Sequence, residues 1–435
     1  MAYTRRTFFM GASGAAVAAR TASAAEGKPA ILGGTPVRAN RFPSWPVIGP
    51  DEEDLLLKVL RSGKWNRNDG GQVREFERQF ASKLGAKHCL ATTNGTSSLI
   101  IALASLGVGP GDEVIVPPYT FVATVNAVLM MHAVPVFADT DITTFQVDPR
   151  SVERMITPKT ACIVPVHLGG NVADMDALLA IGKRHNVPIL EDACQAHMAE
   201  WRGKKVSTLG ALGCFSFQAS KNLNSGEGGG VLTNDDELIA TARSFHNNGR
   251  GTGDSSFEYV GTGCNLRMTE FQAAILMAQM RRLEQQSKTR EANAAYLDGQ
   301  LREIGGLAPA KQYEGCTRNA YHLYMFRYDK DAFGGLARAK FLKAMAAEGI
   351  PCSGGYKPLN KEPFLEKTFA SKGWRRIYGS GELRGWRERN QCPANDRLCE
   401  EAVWFTQTML LGPRSDMDDI AAAIRRIKAN VGAIA

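Results

Sequence analysis

The sequence predicts an α/β fold, with a large domain built on a mostly parallel central sheet flanked by helices and a smaller C-terminal α+β domain. Three observations predict it. Apolar runs of strand length, Glu113–Val116, Val134–Ala138, Cys162–Val166 and Val187–Leu190, are bounded by polar or turn residues, as expected of strands buried on both faces. Val172–His185, between the last two runs, has helical character, and strand-helix-strand alternation argues a parallel sheet with crossovers. The last third of the chain changes pattern: Tyr321–Tyr328 reads as a strand, and Leu336–Gly349 and Asp416–Ala429 read as helices.

Taken in order, residues 1–25 stand apart from the fold. Thr4-Arg5-Arg6-Thr7-Phe8-Phe9 has the form of a twin-arginine signal, Met10–Ala19 is a short, weakly hydrophobic core, and Ala22-Ser23-Ala24 is an A-x-A cleavage site. A core this short does not span a bilayer stably. The expected location is therefore the periplasm or the exterior, with anchoring by an uncleaved signal as the lesser alternative. Residues 26–62 read as an extended Gly-, Pro- and Arg-rich arm followed by the helix Asp51–Ser62, which carries acids in its first turn. Residues 63–290 form the expected large domain, with Val73–Leu84 its next helix, and residues 291–435 the small one. The long helical pattern Thr269–Tyr296 leaves the large domain.

Composition sets bounds. With 44% hydrophobic and 22% charged residues the chain is an ordinary globular protein. Its formal charge is +8 (52 minus 44), spread along the sequence, which argues against nucleic-acid binding and allows attraction of anionic ligands. The nine cysteines contain no C-x-x-C pair and no metal-ligand spacing. They read as small buried hydrophobes, and no metal site is expected. Ser371–Gln391 is basic, Trp-bearing and without periodicity, and is expected to be a solvated loop or an oligomer contact.

Chemistry concentrates between Ile189 and Gly230. The run ending at Leu190 delivers Glu191 and Asp192 to its carboxyl end, where open α/β sheets place their sites. Cys214-Phe215-Ser216-Phe217 ends four residues before Lys221, and glycines crowd Gly226–Gly230. A desolvated lysine is a nucleophile toward carbonyls. Pyridoxal phosphate pairs such a lysine with an acid that keeps its ring nitrogen protonated, and Asp192 is the candidate acid. Asn94-Gly95-Thr96-Ser97-Ser98 precedes the apolar run Leu99–Leu106. Small residues opening a helix aim N–H groups and hydroxyls at an anion, so Thr96 and Ser97 are candidate anion ligands.

Five stretches, NGTSSL (Asn94–Leu99), GPGDEVIVPPYTFVAT (Gly109–Thr124), EDACQAH (Glu191–His197), FSFQASKNLNSGEGG (Phe215–Gly229) and GCNLRMTEFQAA (Gly263–Ala274), together resemble the DegT/DnrJ/EryC1/StrS family of pyridoxal-phosphate aminotransferases of fold type I. The resemblance implies transfer of an amino group from L-glutamate or L-glutamine to a keto-sugar, inosose-type cyclitol or related cyclic ketone, through an internal aldimine on Lys221. It also implies phosphate contacts from Thr96, Ser97 and Ser216, a ring stacked on Phe121, and Gln195 near the ring's phenolic oxygen. Asn265 would reach the cofactor of a neighbouring subunit, making the active site a property of a homodimer. Tyr119, His167 and Arg267 are the candidates for the substrate side, and His167 can equally be a satisfied histidine at a strand end. Cys264 stands where many relatives carry an aromatic residue. Family members that act as dehydratases carry histidine in place of the lysine, and Lys221 stands here. A lyase reaction and a non-catalytic sensor on the same fold are the alternatives.

Overall fold

The computed structural model describes residues 27–251, 257–379, 381 and 383–435. The signal expected in residues 1–25 lies outside them. Seven strands make the large sheet: β1 His88–Thr92, β2 Glu113–Val116, β3 Val134–Phe137, β4 Thr160–Ile163, β5 Leu190–Asp192, β6 Leu212–Ser216 and β7 Gly229–Thr233. A four-stranded part, β1-β7-β6-β5, meets a three-stranded part, β4-β2-β3, through parallel bridges from Ile163 to Ile189 and Val166 to Asp192. Only β7 runs antiparallel to its neighbours. The runs read from sequence are strands because they are buried on both faces; Val114, Cys162, Leu190, Cys214 and Val231 are each 0% exposed.

A smaller antiparallel sheet follows, β8 Leu307–Pro309, β9 Leu323–Tyr328 and β10 Ala402–Thr406, in the order β8-β9-β10. Its core joins Phe326, Phe341, Phe405 and Ile424 with Leu297 and Leu301. The last two lie on the helix Glu270–Ile304, which is longer than the sequence pattern. Leu276 and Leu283 of the same helix pack into the large-sheet core. The division expected at 290/291 thus falls inside one continuous helix, capped at its start by Thr269 and Gln272.

The N-terminal arm lies across the small domain. The Ala30 and Val37 N–H groups donate to Glu348, and Arg38 bonds Asp416 and Asp419. The arm then reaches the large domain, where Trp45 Nε1 donates to the Ala219 carbonyl at 2.9 Å.

Ser371–Gln391 departs from the expected solvated loop. It contains the helices Lys372–Tyr378 and Trp386–Arg389, and Trp374, Tyr378 and Trp386 are buried with Leu365 and Cys392 against the large-sheet core. Trp386 Nε1 donates to Pro135 O at 2.8 Å and Tyr378 to His132 O, both beside the edge strand β3. The charges point outward while three aromatic side chains bury, so the segment is an amphipathic cover on the edge of the large sheet. Accordingly, Trp386→Ala is expected to lower stability by about 3–5 kcal/mol in urea unfolding, whereas a solvated loop position would cost less than about 0.5 kcal/mol.

Candidate functional site

Strand alternation separates the two acids of β5. The Glu191 carboxylate, fully buried, accepts from the N–H groups of Ser207, Leu209 and Gly210 and from His167 Nε2 at 3.0 Å. It is a structural anchor for the turn before β6. The Asp192 carboxylate is buried and accepts one bond on each oxygen, from the Thr124 hydroxyl at 2.8 Å and from Cys194 N–H at 3.1 Å. Both donors are neutral, and among the described residues no cation pairs with it.

Lys221 lies in the turn between β6 and β7. Burial lowers its pKa, and the nearby Cys194 and Asp192 groups oppose that shift to a smaller extent. The turn is held from two sides. Trp45 of the arm grips Ala219, while the Asn222 side chain donates to Ala320 O at 2.8 Å and bonds His322 Nδ1 at 3.2 Å. The neighbouring His197, packed against Phe215 and Phe217, has its pKa pushed down to about 3 by burial and by Lys221, so it stays neutral.

The helix Gly95–Ser105 starts beside these groups. A Cβ on Gly95 would lie 2.6 Å from Ser216 Cβ and 3.2 Å from Cys194 Sγ, so only glycine permits this approach. Around Cys194, therefore, the structure gathers the helix start, Ser216, Asp192 and Lys221. Ser216 Oγ accepts from Gln218 N–H at 3.3 Å and keeps its own proton.

The helix cap is Asn94, whose Oδ1 takes the Ser97 N–H at 2.8 Å. Ser97 is buried and its hydroxyl accepts from Thr93 at 2.9 Å. Its position accordingly supports the helix start from within, whereas Thr96 is part-exposed at the open first turn. Phe121, just beyond β2, is 56% exposed and free to offer a ring face. Gln195 is buried; its Oε1 accepts from Gly169 N–H at 2.7 Å and its Nε2 donates to Tyr356 Oη at 3.0 Å. Asn265 is exposed.

The substrate-side candidates are held in different ways. His167 is 0% exposed, its Nε2 bonds Glu191 and its Nδ1 accepts from Ala173 N–H, so it is the satisfied strand-end histidine. Tyr119 is buried among Phe145, Tyr356 and Trp404 and presents no free ring face. Arg267 donates to Asn247 Oδ1 beside the end of β1, and burial together with Arg250 and Arg67 lowers its pKa. Tyr356, Cys194 and Trp45 are site neighbours that sequence reasoning missed.

A family model for the DegT/DnrJ/EryC1/StrS aminotransferase family matches residues 46–375. The chain belongs to that family. Its members are pyridoxal-phosphate-dependent, and this chain is an aminotransferase of fold type I. It is 41% identical over 416 residues to L-glutamine:2-deoxy-scyllo-inosose aminotransferase of Streptoalloteichus tenebrarius, covering 92% of this chain and 97% of that one. A putative L-glutamine:3-amino-2,3-dideoxy-scyllo-inosose aminotransferase of the same organism is 38% identical, covering 93% and 99%. Among solved structures, 3-amino-5-hydroxybenzoic acid synthase matches with a TM-score of 0.81 at 34% identity, over 90% of this chain and all of that one. The described residues contain no group of His, Cys, Asp and Glu able to hold a metal ion, and no helix long and apolar enough to cross a membrane.

The lysine desolvation carries a pH signature. A depressed native pKa means the unfolded state binds more protons between the native and the ordinary lysine value, so stability rises with pH through that window. The cofactor-free wild type should gain melting temperature over this range, and Lys221→Met should lose that component of the rise.

Proposed function

We propose that this enzyme transfers an amino group from L-glutamine or L-glutamate to an inosose-type cyclitol ketone, with pyridoxal phosphate held at Lys221. The observation that carries the reading is a buried carboxylate, Asp192, with only neutral donors, beside a lysine whose basicity is lowered by burial. A buried carboxylate without a cation is costly, and the protonated ring nitrogen of the cofactor is the cation that fits there. The open first turn at Gly95 and Thr96, with the Ser216 hydroxyl beside it, suits the phosphate. The names of the relatives over nearly full length support a cyclitol acceptor.

When bound, the cofactor supplies an electron sink for bond-making and bond-breaking at the donor's Cα. Asp192, whose oxygens face Thr124 and Cys194, would face the ring nitrogen and hold its proton. Lys221 Nζ, lowered in basicity by burial, would hold the cofactor and serve as the base that moves a proton at the donor's Cα. Thr96 and Ser216 would hold the phosphate, with Ser97 supporting the helix start, and Phe121 would cover one ring face. Asn265, exposed in this chain, would reach the phosphate of a second copy's cofactor in the homodimer that this reading takes as the working form. Arg267 lies near the same edge and adds positive charge for anionic groups.

We also propose export by the twin-arginine route, from Arg5-Arg6 and the Ala22-Ser23-Ala24 site. Fusing residues 1–30 to a reporter that is active only after twin-arginine export tests this: export lost in Arg5→Lys/Arg6→Lys supports it, and export indifferent to that change contradicts it.

The reaction itself is tested with purified protein, pyridoxal phosphate, L-glutamine and 2-deoxy-scyllo-inosose, following the product mass. Amine gain is expected, and Lys221→Ala should lose both the visible cofactor band and at least about a thousandfold of the rate. Loss of water from the ketone, or full activity in that variant, contradicts the proposal.

A further inference from the structure

Tyr356 lies at the junction of the two domains, on a segment bound to β10 by paired backbone bonds between Ser353 and Trp404 at 3.0 and 3.1 Å. Its position is heavily determined. Gly355 before it has φ of +84°, and a Cβ there would lie 2.4 Å from Tyr119 Oη, so the chain passes directly over Tyr119 only because this residue is glycine. The Tyr356 ring then packs edge-on against Trp404, at 4.9 Å between centroids, and against Tyr119, at 5.5 Å. Such contacts leave little rotamer freedom.

The direction of its hydrogen bond follows from the backbone. Gly169 N–H can only donate, so the Gln195 atom 2.7 Å from it is the oxygen, and the other end of the amide is the NH2 group. That group, 3.0 Å from Tyr356 Oη, donates to the phenol. Tyr356 is therefore an acceptor in this bond and keeps its own proton. Burial pushes its pKa up to about 12, with Asp192 adding in the same direction, so the phenol stays protonated throughout the neutral range. Among the described residues nothing accepts that proton, and the side chain is part-exposed.

We infer that Tyr356 is a further site residue, a hydrogen-bond donor aimed by Gly169 and Gln195 at an oxygen of the bound cofactor or of the ketone. The inference rests on the proposed aminotransferase reading. The shared chemistry is an oxygen bearing full or partial negative charge, and two sources supply it: the phenolic oxygen of pyridoxal phosphate, or the carbonyl and hydroxyl oxygens of a polyol ketone. Tyr356 was invisible in the sequence because a tyrosine after two glycines has no pattern that separates it from a turn residue.

The test uses full-length Tyr356→Phe loaded with pyridoxal phosphate. The ring contacts with Trp404 and Tyr119 survive this change, so the near-UV circular dichroism and melting temperature are expected to match the wild type. If the phenol serves the cofactor, the pH midpoint of the visible absorbance band moves up by about one to two pH units, the effect of losing a bond to a charged oxygen. If it serves the ketone, the midpoint stays and KM for 2-deoxy-scyllo-inosose rises about tenfold or more while KM for L-glutamine holds. A folded variant in which the midpoint and both KM values remain at wild-type levels overturns the inference. Should Phe perturb folding, Gln195→Met, which removes the aiming amide and leaves the phenol, must move the same observable in the same direction, and an unmoved observable overturns the inference equally. A wild-type protein that forms no visible band with pyridoxal phosphate would instead defeat the functional proposal on which this one stands.

Discussion

The structure depends on keeping an acid and a base close and unpaired. Asp192 and Lys221 both sit at the carboxyl edge of the large sheet, the first buried and the second part-buried, where a direct ion pair would be the simple way to satisfy them. Instead Asp192 takes neutral donors from Thr124 and Cys194, and Lys221 loses basicity to burial. A satisfied pair would leave nothing for a ligand. The separated arrangement keeps a carboxylate that requires a cation and an amine ready to attack a carbonyl, which is the combination the proposed cofactor completes.

Much of the surrounding fold serves to hold that separation. Strand alternation sends Glu191 to the opposite face, where three N–H groups and His167 bind it and fix the turn leading into β6. Gly95 lets the helix start approach Ser216 and Cys194. The lysine turn is clamped between the N-terminal arm, through Trp45, and the small domain, through Asn222, Ala320 and His322. The arm is in turn fixed at its far end by Arg38 on Asp416 and Asp419. The lysine position therefore reports on both domains.

The strands of the large sheet were legible because each is a continuous apolar run, and the acid, lysine and helix start were legible because their residue types alternate with those runs at strand ends. The failures have physical causes. Trp374 and Trp386 stand among arginines and lysines, so composition pointed to solvent, while burial of the rings against β3 decided their place. His167 has the same sequence setting whether it faces a ligand or Glu191, and only the fold shows which. Ser97 read as an anion ligand from its place at a helix start, but its N–H is taken by the Asn94 amide oxygen and its hydroxyl by Thr93. Tyr119, Tyr356 and Trp404 come together across more than 280 residues (404 minus 119), a contact no local pattern encodes.

The central claim, that Asp192 is a carboxylate reserved for a ring-nitrogen cation, is tested most directly by nuclear magnetic resonance of the protein loaded with pyridoxal phosphate labelled with 15N at the ring. The account predicts a protonated ring nitrogen in the wild type and a deprotonated one in Asp192→Asn, with the folded structure and Lys221 attachment retained. An identical, protonated signal in both proteins would contradict it.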